Sequence, residues 1–109
     1  GKALAAGSAI GELCILPSAQ SAGGPPAGAV LVVPLVLPAD AIVFSRCSAL
    51  ICESGTVLGH AAVLAREKKI PALVLPGACS SLARVARVRV DGNRGEVEIL
   101  SFHEEGASQ

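Results

Sequence analysis

Apolar residues along this chain come in short runs, and most of the runs are closed by glycine or proline. Residues 9–16 (AIGELCIL) form one such run, between Gly7 and Pro17, and read as the first strand. Residues 17–28 (PSAQSAGGPPAG) are rich in Pro, Gly and Ser and read as a surface loop. Residues 29–33 (AVLVV) carry no polar position, the pattern of a strand buried on both faces. Pro38 suits the first turn of a helix over 39–45, with Asp40 near its positive end. Residues 49–52 (ALIC) and 72–75 (ALVL) are two more short apolar runs and predict strands. Between them HAAVLAREKK (60–69) is built of strong helix formers, with Lys68 and Lys69 in its last turn and Pro71 as its stop. Residues 78–86 are ambiguous, and one helical turn is the most they predict. Alternation then returns in RVRV and EVEI, around the turn signal Asp91-Gly92, so 85–90 and 96–100 predict a hairpin. The polar tail from Ser101 is expected to fray. Strands alternating with helices in the middle, flanked by hairpin-forming strands, predict an α/β domain with a mixed sheet. Periodicity leaves the strand order open.

The 109 residues are enough for one domain and a modest core. That core must be aliphatic, because two Phe are the only aromatics. Nine basic and nine acidic residues balance, which argues against nucleic acid as a partner, since phosphate affinity needs a cationic excess. Arg84, Arg87 and Arg89 lack interleaved aromatics and read as a solvated strand face. Cys14, Cys47, Cys52 and Cys79 show no metal-ligand spacing. They sit in or beside apolar runs, as reduced thiols of a cytoplasmic protein do. The longest apolar stretch is broken by Pro34 and Pro38 and carries Asp40, so no membrane span is expected. The chain contains no Met, as expected of one that has either lost its initiator or been cut from something larger.

The one position with clear chemical potential is His60. It follows a strand and a glycine-containing turn and opens a helix. Backbone N–H groups at a helix start lack intrahelical partners and carry partial positive charge. Such a site favours the neutral, nucleophilic imidazole and would stabilise an anionic group once attached to it. Gly55, Thr56 and Gly59 are expected to shape the turn, with contact to a phosphate as the alternative. Arg66 and Glu67 are about 9–10 Å further along the helix axis. That is too far to orient the imidazole, so they either anchor the helix as a pair or face a partner.

Glu53, Gly55 and Leu58, then His60-Ala61-Ala62-Val63-Leu64-Ala65-Arg66-Glu67, then Ile70-Pro71-Ala72-Leu73-Val74 agree without a gap with a known pattern. It runs T-[DE]-x-G-G-x-[LT]-[SC]-H-A-A-[IV]-[ILV]-A-R-E-x-G-[IL]-P-A-[VL]-V. The chain thereby resembles the phosphoenolpyruvate-utilising enzyme mobile domain, the phosphohistidine domain of several dikinases and phosphotransferases. The opening strand GSAIGELCIL, the segment VLVVPLVLPADAIVF and the closing VRVDGNRGEVEIL extend the likeness over nearly the whole chain. Leu58 brings the VLGH turn nearer to the rifampicin phosphotransferase and phosphoenolpyruvate synthase-like members. Three positions in the turn depart from the pattern: Cys52 for Thr, Thr56 for the second Gly, and Gly59 for Ser or Cys.

The resemblance implies a swivelling β/β/α fold, with a mixed sheet and a central helix starting at the active histidine. It implies a single domain over 1–109, cut from a multidomain phosphotransferase. His60 would relay a phosphoryl group between two other sites. Those are a nucleotide-binding, ATP-grasp-like domain and an acceptor-substrate domain, in cis or in trans. No cofactor is expected on this domain itself. Its sequence has no phosphate-binding loop and no acidic cluster for Mg²⁺, so Mg²⁺ and ATP or phosphoenolpyruvate are expected on the partners. The domain alone is expected to be inactive. The three departures also admit a non-catalytic docking module that kept the fold and lost the transfer.

Overall fold

The computed structural model describes residues 1–17, 25–36, 40–54 and 59–103, apart from the side chains of residues 41, 42 and 60. The elements run β1 (Lys2–Ala5), β2 (Ser8–Ile15), β3 (Val30–Val33), α1 (Ala41–Phe44), β4 (Ala49–Cys52), α2 (His60–Lys68), β5 (Ala72–Val74), α3 (Ala78–Ser81), β6 (Val85–Asp91) and β7 (Glu96–Phe102). The strands form one mixed sheet in the order β1-β5-β4-β3-β2-β6-β7. β2, β3, β4 and β5 are parallel, and β1, β6 and β7 are antiparallel to their neighbours.

The all-apolar runs become strands covered on both faces, as expected for residues 29–33, and their alternate residues enter two different cores. Leu31 and Val33, Leu50 and Cys52, Ala72 and Val74 point to the face covered by α1 and α2, beside Phe44, Ala61, Ala62 and Ala65. Val30 and Val32, Ala49 and Ile51, and Leu73 point to the opposite face, beside Ala78, Leu82, Val85, Val88 and Val90. The second core is closed largely by β6, so the sheet folds over part of itself. β2 makes this possible by changing partner midway. Residues Ser8 to Glu12 pair with β6, and Leu13 to Ile15 pair with β3.

Several expectations are corrected. β1, with only the short KALA segment, carried no strand signal; pairing with β5 holds it in the sheet. The ambiguous stretch after Gly77 is the short helix α3. The start of the tail does not fray: Ser101 and Phe102 belong to β7, and the His103 N–H donates to the Arg84 carbonyl at 2.8 Å. Pro25, at the end of the supposed surface loop, is fully buried; residues 18–24 of that loop lie outside the described residues, as do Pro38 and Ala39. The helix expected at the histidine is α2, which starts at His60 and packs on β1 and β5 with α1 beside it. Cys47 and Cys52 are buried, Cys14 and Cys79 partly so, and all four are free thiols. Among the described residues no helix is long and apolar enough to cross a membrane, and no cluster of His, Cys, Asp or Glu could hold a metal ion.

The closing hairpin has its own local logic. The Asp91 carboxylate accepts from the N–H groups of Asn93, at 2.9 Å, and Arg94, at 3.2 Å, a turn stabilised by its own side chain. Gly92 donates to the Gly7 carbonyl at 2.8 Å. A Cβ on Gly92 would overlap the Ala5 carbonyl oxygen, and one on Gly95 would press on Ala3 and Gly1. The hairpin tip therefore seals against β1, at the far end of the strand order. Arg87 and Arg89 are exposed on β6, and Arg89 pairs with Glu98.

Candidate functional site

The C-terminal ends of β3, β4 and β5 lie side by side and are tied together by backbone bonds. The Glu53 N–H donates to the Val33 carbonyl at 3.1 Å, and the Ser54 N–H to that of Pro34 at 3.1 Å. The Leu75 N–H donates to the Cys52 carbonyl at 2.8 Å. From this edge the chain leaves β4 and returns as α2, whose first residue is His60. Gly55, Thr56 and Leu58 lie outside the described residues, as does the side chain of His60.

Gly59 is the residue before the helix. Its backbone is extended, with φ −83° and ψ 176°, a conformation open to any residue. Its glycine is therefore not required by a left-handed turn. Its carbonyl accepts the first helical bond, from the Val63 N–H at 3.1 Å. Gly59 offers no side chain to cap the first turn, where Ser or Cys would offer a hydroxyl or thiol acceptor. Ala61, Ala62 and Ala65 are buried against the sheet. Three small side chains on one face let the helix lie close over the strands.

Arg66 and Glu67 are both exposed, and neither forms an ion pair with another described residue. The helix is anchored instead at its C-terminus. Lys69 adopts the left-handed conformation, φ 59° and ψ 40°. Its N–H donates to the Arg66 carbonyl, and the Ile70 N–H donates to that of Ala65 at 3.0 Å, the paired bonds of a Schellman ending. Ile70 and Ala65 share one core, the apolar contact that accompanies this ending. Lys69 stands where the pattern quoted above has Gly, and that glycine was the signal for the left-handed residue.

Cys52, in place of the pattern's Thr, is fully buried at the end of β4. Its thiol donates to the Leu73 carbonyl at 3.8 Å, and burial pushes its pKa up to about 11. At neutral pH it is a protonated packing group, not a nucleophile. A residue whose part sequence reasoning missed is Glu53. Its carboxylate accepts from the Cys79 N–H at 2.9 Å, in the first turn of α3. Burial, then the Glu53 hydrogen bond and charge, raise the pKa of the Cys79 thiol.

The described residues thus form a mixed α/β sheet, and a histidine opens the helix that follows its parallel strand β4. The chain belongs to the family described as PEP-utilising enzyme, mobile domain, whose pattern matches residues 25–95. It is 31% identical over 102 residues, 93% of its length, to the uncharacterised phosphotransferase YvkC of Bacillus subtilis. It is 37% identical over 76 residues, 69% of its length, to the rifampicin phosphotransferase of Streptomyces sviceus. It is 42% identical over 74 residues, 67% of its length, to chondramide synthase cmdD of Chondromyces crocatus. The chain spans 12%, 9% and 2% of the length of these curated relatives. Its fold is similar to the solution structure of a UPF0107 protein, with a TM-score of 0.68 and 22% identity, over 92% of this chain and 96% of that one.

Proposed function

We propose that this domain is a phosphoryl carrier and that His60 holds the group. One imidazole nitrogen attacks the donor phosphorus, an N–P bond forms, and the P–O bond to the donor's leaving group breaks. The acceptor oxygen then attacks the same phosphorus and the N–P bond breaks. Dividing one difficult transfer into two easier ones is the general logic of nucleophilic catalysis.

The observation that carries this reading is the position of His60 as first residue of α2, behind a Gly59 that gives no side-chain cap. Among the described residues no side chain caps the first turn, and the helix end favours negative charge there. The phosphotransferase relatives support it, and the small share of their length that this chain spans supports partner domains for donor and acceptor. Mg²⁺ and ATP or phosphoenolpyruvate would be bound by those partners. The domain would swivel between them, and Arg66 and Glu67, exposed on α2, would face them.

Intact mass of the full-length protein, with its donor substrate, tests the assignment. The expected result is one phosphoryl group, lost in acid and kept in base, absent from His60→Ala. Equal labelling of wild type and His60→Ala would overturn it. The departures at Cys52, Thr56 and Gly59 favour a second reading, a docking module without transfer. Absence of any acid-labile group on wild type would support that reading.

A further inference from the structure

We infer that Glu53 is a positioning residue for His60, an inference that rests on the carrier reading above. α3 is preceded by its N-cap residue Gly77, in the left-handed conformation with φ 75°, and has no side-chain cap of its own. A helix start normally receives an acceptor from its N-cap side chain, bonded to the second or third helical N–H. Here Glu53 supplies that acceptor from 26 residues away, to the Cys79 N–H at 2.9 Å.

The consequence for the site follows from where Glu53 stands. It is the first residue after β4 and begins the stretch that leads to His60. Its N–H holds the exit of β3, through the Val33 carbonyl. Its side chain holds the segment after β5, which Cys52 also holds through the Leu75 N–H. One residue thus ties the exits of three parallel strands at the base of the histidine stretch. The other end of that stretch is set by α2, whose alanines are buried on the sheet. A phosphoryl acceptor must be presented within a fraction of an ångström of its productive place. A half-buried carboxylate bonded to a backbone N–H is a charge-assisted bond, about twice as strong as a neutral one.

The test compares Glu53→Ala, Glu53→Gln and Val90→Ala in the full-length protein. Val90, in β6, is fully buried and pairs with Ala9 at the start of β2, the opposite end from the strand exits, so its variant controls for lost stability. Amide exchange over residues 54–60 is read by mass spectrometry. Uptake of phosphate on His60 is read with phosphoramidate, whose phosphorus the imidazole attacks with loss of ammonia and without a donor domain. Glu53→Ala is expected to speed exchange and to slow uptake, each by about tenfold relative to Val90→Ala. Glu53→Gln keeps an acceptor oxygen and is expected to recover most of both. Equal behaviour of Glu53→Ala and Val90→Ala, or a Glu53→Gln variant no better than Glu53→Ala, would overturn the inference. If wild-type His60 takes up no phosphate, the carrier reading fails, and exchange over residues 54–60 alone decides the role of Glu53.

Discussion

At the scale of single residues, two thiols, one just before β4 and one at its end, are kept inert. Cys52 and Cys47 are buried, and both thiols are pushed up to about 11. Desolvation is the main cause in each, and Cys14 adds to it at Cys47. In the unfolded chain these thiols ionise near the ordinary value of 9.0. The folded state therefore holds more protons between those values, and stability falls as pH rises. The contribution is complete below about 9 and is lost as pH climbs through about 11. Urea midpoints recorded from neutral to alkaline pH should show this decline, and a Cys47→Ala, Cys52→Ala double variant should show a shallower one. A wild-type midpoint that stays level across the window would contradict the assignment.

At the scale of elements, α2 shows how a local rule can be broken where the surroundings permit it. Its start, at Gly59, uses glycine in an ordinary extended conformation. Its end, at Lys69, places a residue with a Cβ in the left-handed region. The cost of that conformation is about 1–2 kcal/mol for a residue other than glycine, and the Schellman bonds and the Ile70–Ala65 contact offset it. Lys69→Gly should stabilise the protein by roughly 0.5–1 kcal/mol, after allowing for the entropy glycine loses on folding. For a domain of this size the melting temperature should rise by about 4 °C, and a thermal melt checks it. An unchanged or lower melting temperature would mean that the lysine side chain makes a compensating contribution. α3 is the opposite case: its start is satisfied from outside by Glu53, which no pattern within residues 77–82 indicates.

At the scale of the whole molecule, the sheet is shaped by β2, shared between two partners, and by the hairpin that returns to β1. Gly92 sits at that closure. Its requirement for glycine is one of space, because a side chain there would meet the Ala5 carbonyl. Gly92→Ala must push the hairpin away from β1 or distort both, at a cost of about 2–4 kcal/mol. Urea unfolding measures the loss, and faster amide exchange in residues 2–5 than in residues 49–52 would locate it. A cost below about 0.5 kcal/mol, the range of ordinary surface changes, would show that the tip is not held against β1.

Much of this was legible in the sequence. β4 falls where its apolar run predicted. The two-sided burial of β3 was readable in AVLVV, and the hairpin in RVRV, DGNRG and EVEI. The position of His60 at a helix start followed from HAAVLAREKK after a strand and a glycine-containing turn. These are local properties: periodicity, turn chemistry and helix propensity act over a few residues. What only the tertiary structure decided joins positions far apart in the chain. β1 has too short a run to announce itself and is a strand because β5 pairs with it. Residues at the start of the polar tail are held in β7 by β6, and the two faces of each buried strand are assigned to different cores by what packs on them. Glu53 reads locally as one more polar residue in a turn. It becomes the cap of α3 because the parallel exits of β4 and β5 bring its carboxylate to a helix start 26 residues later, and a distance in space of that kind is set by the fold.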